Sequence, residues 1–144
     1  MKNRLLAWLL IGLSMTTGAG WHFGRMNKRL AIEDYTEISP DGCYKLVGLT
    51  PRWLLPSFFH PKPDPGDARA PDIWFSGWEL PRFFRLYDHR SGRLLNETRV
   101  YDVATALTFE WPWYRATQGR LSRGLIDLGP ALPNCSGKAP TRSR

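Results

Sequence analysis

Two cysteines, Cys43 and Cys135, are all that this chain of 144 residues contains. They stand too far apart to act as a zinc-ligand pair, and the thiol redox spacing Cys-x-x-Cys is absent. The three histidines, His22, His60 and His89, are isolated from one another and from the cysteines. Neither Ser76 in Phe-Ser-Gly-Trp nor Ser91 in Arg-Ser-Gly-Arg lies in the Gly-x-Ser-x-Gly frame that exposes a hydrolase nucleophile. Glu79, Glu97 and Glu110 are candidate acids that no motif brings together, and His89 beside Asp88 reads as a turn. Without a nucleophile and base or a metal set, the sequence points to a protein that is not an enzyme and needs no cofactor.

Acidic residues are missing from both ends. Lys2, Arg4, Arg25, Lys28 and Arg29 precede residue 30, and Lys138, Arg142 and Arg144 follow Cys135, with no Asp or Glu among them. These flanks hold eight of the 20 basic residues, leaving 12 in the middle to face all 13 acidic ones. The net charge of +7 therefore belongs to the ends. Nucleic-acid binding requires basic residues gathered on a folded face, so no nucleic-acid partner is expected.

What the N-terminus does carry is an address. A basic start leads into the apolar run Leu5 to Leu13 and then into the small residues Thr16 to Gly20, the order of a secretory signal. The longer stretch Leu5 to Phe23 has no charge over 19 residues, enough for a helix of roughly 28 Å, with Trp8 and Trp21 towards the two interfaces. An uncleaved inner-membrane anchor and a cleaved signal both place the remainder in the periplasm. Arg25, Lys28 and Arg29 oppose that orientation under the positive-inside tendency.

In an exported chain the two cysteines read as a disulfide, with two buried free thiols as the alternative. A Cys43–Cys135 bridge would tie the end of the domain to its beginning.

The expected fold is mainly β, a small antiparallel sheet or sandwich behind an N-terminal transmembrane or signal helix. The divisions are residues 1–30 for the anchor or signal, 31–136 for the β domain and 137–144 for a disordered tail. Pro40-Asp41-Gly42 marks one hairpin, and Arg90-Ser91-Gly92 marks a second between Phe83–Tyr87 and Leu94–Tyr101. Between them the stretch 61–73, led by His60, carries four prolines and one glycine and reads as a surface loop. Thr105 to Trp113, in which Leu107, Phe109, Trp111 and Trp113 alternate, reads as a half-buried strand, and Arg120 to Gly129 reads as the last strand. Trp74, Phe75 and Trp78 follow the proline loop. They suit either a partner-binding patch or the large side chains of a small core.

The strings "DYTEISPDGCYKL", "WLLPSFFHP" and "RLYDHRSGRLLNETRVYD" resemble short bacterial envelope proteins made of a membrane segment and a small β domain. The plan is similar to that of immunity proteins encoded beside antibacterial effectors such as those of type VI secretion. The resemblance implies a membrane-tethered periplasmic binding protein that neutralises a secreted toxin. A structural or assembly subunit of an envelope complex is the other function that this plan accommodates.

Overall fold

The computed structural model describes residues 28–39, 41–106, 119–133 and 135. The expected membrane or signal segment, the strand over 107–113 and the tail 137–144 lie outside these residues. Among the described residues no helix is long and apolar enough to cross a membrane.

The described chain is mainly β and antiparallel. Strands β1 (Ile32–Ile38) and β2 (Tyr44–Thr50) form the first hairpin, and β3 (Pro81–Asp88) joins the other edge of β2. β4 (Leu94–Glu97) and the short β5 (Tyr101–Asp102) both pair with β3, giving a five-stranded sheet. The chain then makes one helical turn, α1 (Val103–Ala106), and later a separate two-stranded hairpin of β6 (Arg120–Arg123) and β7 (Ile126–Pro130).

Both glycine turns have a local cause. At the first, Gly42 adopts φ 68, and its N–H donates to the Ser39 carbonyl at 2.8 Å. The Ser39 hydroxyl donates to Asp41 Oδ1 and accepts the Tyr44 N–H, so two side chains and the backbone close the turn together. At the second, Asp88 accepts from the Arg90 N–H and the Ser91 hydroxyl, and Gly92 closes onto the Asp88 carbonyl.

β2 is central, and its two faces bury different things. Tyr44 and Leu46, with Phe84 and Leu86 from β3, pack against Leu121, Ile126 and Leu128 of the β6–β7 hairpin. Val47, Leu49 and Phe83 form a second cluster on the opposite side with Ala31, Tyr87 and Val100. The alternation follows from the two-residue period of a strand. Gly48 is where β1 gains closeness: the Tyr35 ring lies over it, and a Cβ there would stand 2.5 Å from Tyr35 Cε1.

Cys43 is bonded to Cys135, with Cα atoms 6.0 Å apart and a sequence separation of 92. The bridge belongs to the first cluster and fastens the chain beyond β7 to the start of β2.

Three strand expectations need correction. Leu94–Tyr101 is split, because the Thr98 hydroxyl accepts the Phe84 N–H at 3.0 Å and takes a place that a continuous ladder gives to backbone. Arg120 to Gly129 is two strands, because Gly124 at φ 58 and Leu125 make a two-residue turn with glycine first. Thr105 and Ala106, expected in a strand, belong to α1.

Candidate functional site

The 30-residue connection from β2 to β3, residues 51–80, carries the surface of interest. It is held from beneath by one carboxylate. Asp102 is buried and accepts from Lys62 Nζ at 2.7 Å, the Glu79 N–H at 3.1 Å and the Leu80 N–H at 3.0 Å. Burial alone would push this carboxyl up, but the Lys62 ammonium and the two backbone donors together hold it below the usual carboxylate range. Lys62 and Ile73 exchange both backbone hydrogen bonds, which closes the proline stretch into a sub-loop.

Aromatic side chains are stacked on that base in two layers. The inner layer is half-buried: Trp53 stacks on His60 with centroids 3.9 Å apart, and Trp78 lies 5.5 Å from Trp53. Trp78 Nε1 donates to the His60 carbonyl at 3.2 Å. Burial lowers the His60 pKa, only partly opposed by a hydrogen bond to the Leu55 backbone, so the imidazole is favoured in its neutral form.

The outer layer faces solvent. Phe58, Phe59, Phe75 and Trp74 form a chain of neighbouring rings, at centroid spacings of 4.3, 6.3 and 6.5 Å. Phe75 is 70% exposed and Trp74 57%, with Leu54, Leu55 and Ile73 also exposed. Such a contiguous apolar surface marks an interaction site on a soluble domain far more often than scattered single residues do.

Phe75 is also strained. Its φ of 58 is left-handed, a conformation that suits glycine and costs a bulky residue about 1–3 kcal/mol. The cost falls on the most exposed aromatic of the patch.

The three aromatics singled out in the sequence therefore separate. Trp74 and Phe75 lie in the outer layer, and Trp78 lies in the half-buried inner group with Trp53 and His60. The sequence reading missed Phe58, Phe59, Leu54 and Leu55. The signal available was the uncharged run Trp53 to Phe59, interrupted by Pro56, directly before a proline-rich loop.

Of the candidate acids and hydroxyls, Glu97 and Ser91 are engaged elsewhere, and Glu110 lies outside the described residues. Glu97 accepts from Lys28 Nζ at 3.0 Å and Arg85 Nε at 2.8 Å. Burial pushes its carboxyl up, and the two cations outweigh that and hold it low. Ser91 serves the second turn, while Ser76 Oγ is buried in the loop without a hydrogen-bond partner among the described residues. Among the described residues no group of three or more His, Cys, Asp or Glu side chains is placed to hold a metal.

No protein-family model, characterised protein or solved structure matches the chain.

Proposed function

We propose that this chain is a non-enzymatic binding protein, tethered to the bacterial inner membrane with its β domain in the periplasm, and that it acts as an immunity protein. The partner is a secreted antibacterial toxin whose active site is covered by the aromatic patch. Phe75 carries this reading. A residue that spends backbone strain on exposing a large ring is hard to account for by stability, and is well suited to a binding anchor. Trp74 stands beside it as a second anchor, and Trp78 packs with Trp53 and His60 in the half-buried group of the same connection. The Cys43–Cys135 bond supports an oxidising compartment.

The test is photo-crosslinking in the native host, with a benzophenone side chain replacing Phe75. A crosslink to a toxin whose lethality the parent suppresses, and Trp74→Ala does not, supports the proposal. A crosslink to a resident envelope complex would replace it with the assembly-subunit reading.

A further inference from the structure

The outer layer has two arms. One is Ile73 to Phe75; the other is Leu54, Leu55, Phe58 and Phe59, gathered around the 3-10 turn Ser57–Phe59. In the second arm the four large apolar side chains are 45, 50, 44 and 47% exposed, and the run from Trp53 to Phe59 has no charge. No toxin-specific chemistry is visible in it, since it offers hydrocarbon and two phenyl rings.

The position of the arm relative to the incoming chain is informative. Lys28, where the described chain begins, is fixed to the domain. Its ammonium donates to Glu97 and to the Thr98 carbonyl and sits 5.1 Å from the Phe83 ring centre, while Arg85 Nη2 donates to its carbonyl at 3.3 Å. Lys28 also lines a cavity of about 300 Å³ together with Trp53 and His60, the residues at the two feet of the arm. The charge-free run of the sequence ends at Phe23, so only residues 24–27 intervene. Fully extended, the step from Phe23 to Lys28 spans at most roughly 17 Å. A headgroup layer adds about 5–7 Å to each side of the hydrocarbon, so a domain on so short a leash is held close to it.

Charge fits the same surface. Arg29 and Arg52 are exposed, one next to Lys28 and the other next to Trp53, and Arg25 lies in the short connection. Basic side chains bordering an apolar arm suit anionic lipid headgroups.

We propose that the arm Leu54–Phe59 is a second membrane contact, seated in the interfacial layer of the same bilayer that holds the N-terminal run. This rests on the reading of Leu5–Phe23 as an uncleaved anchor. It sets the domain's orientation, and it leaves Trp74 and Phe75 to meet a partner that arrives at the membrane surface.

The experiment uses the full chain in vesicles of phosphatidylethanolamine and phosphatidylglycerol, with or without bromine on the acyl chains near the headgroup. Fluorescence differences isolate two indoles: parent against Trp8→Phe reports the anchor, and Phe58→Trp against parent reports the arm. An unchanged melting temperature confirms that Phe58→Trp is folded, as expected at a half-exposed site. The arm indole should lose about half its emission or more to the bromine, together with the Trp8 signal. A quenched Trp8 signal beside an unquenched arm would overturn the membrane contact, keep the anchor and return the arm to a protein partner. Both signals unquenched would show that the anchor reading had failed, and this inference with it.

Discussion

The Tyr44 hydroxyl accepts the backbone N–H of Leu132 at 2.7 Å, across 88 residues of chain. Tyr44 follows Cys43, and Leu132 lies three residues before Cys135, so a hydrogen bond and a disulfide close one seam side by side. Closing a loop of this size contributes about 4.6 kcal/mol in the chain-entropy treatment. The pair Cys43→Ser with Cys135→Ser should therefore lose about 4 kcal/mol in urea unfolding, most of the stability of a small domain. Tyr44→Phe in the bridged protein should lose only about 1 kcal/mol. Equal losses from the two changes would show that the bridge constrains nothing beyond what packing already holds.

Asp102 is the fastening of the 51–80 connection. Asp102→Ala removes the acceptor of the Glu79, Leu80 and Ala104 N–H groups and leaves the Lys62 ammonium only the Gly77 carbonyl at 3.5 Å, and should cost about 3 kcal/mol. Amide exchange should rise first at Lys62, Ile73, Glu79 and Leu80, because those hydrogen bonds converge on or beside the lost carboxylate. Exchange rising evenly over the whole sheet instead would mean that Asp102 supports the core and not the loop.

Phe75 separates stability from binding. Phe75→Gly relieves a left-handed φ and should raise stability by about 1 kcal/mol, less any gain in unfolded-chain entropy. The same change should weaken a partner by about 2 kcal/mol, roughly thirtyfold. Trp74→Ala should weaken binding with little effect on melting, whereas Trp78→Ala should lower the melting temperature because its ring supports Trp53. Undiminished binding by folded Trp74→Ala and Phe75→Gly variants would exclude the patch.

Acid should act in two stages. His60 has a lowered folded pKa, so the unfolded chain takes up a proton first and stability begins to fall below about pH 6.5. Asp102 and Glu97 are held low in the folded protein, so the stability they contribute is complete above about pH 4 and is lost as pH falls further. Urea midpoints from about pH 8 to 3 should show both stages, and His60→Gln should remove the first. Midpoints that rise as the pH is lowered from about 7 to 5.5 would contradict the burial assigned to His60.

The parts of the fold legible in sequence are those with local causes. Asp41-Gly42 and Ser91-Gly92 announce their hairpins because the required φ and the capping side chains are neighbours in the chain. The bridge was legible by elimination, two cysteines in a chain that reads as exported. Gly124-Leu125 was also a local signal, and so was the change of parity across it, from Leu121 to Ile126 and Leu128, which a single strand would turn to opposite faces. The break at Thr98 was not legible, since it depends on the amide of Phe84 across the sheet. Exposure of Trp74 and Phe75 was suggested by the loop they follow, but that of Leu54, Leu55, Phe58 and Phe59 was hidden, since Trp53 to Phe59 has the composition of a core.

The register of β2 against β3 is set by pairs such as Leu49 with Phe83, all of which lie outside the 51–80 connection that joins them. The two strands would align equally well around a different insert, provided Lys62 and the Glu79–Leu80 backbone still reached Asp102. Sheet and aromatic surface are thus joined at a few points only, a fixed socket and an exchangeable cartridge. Related chains can be expected to diverge most between those fastening points, changing the exposed aromatic surface without renegotiating the fold.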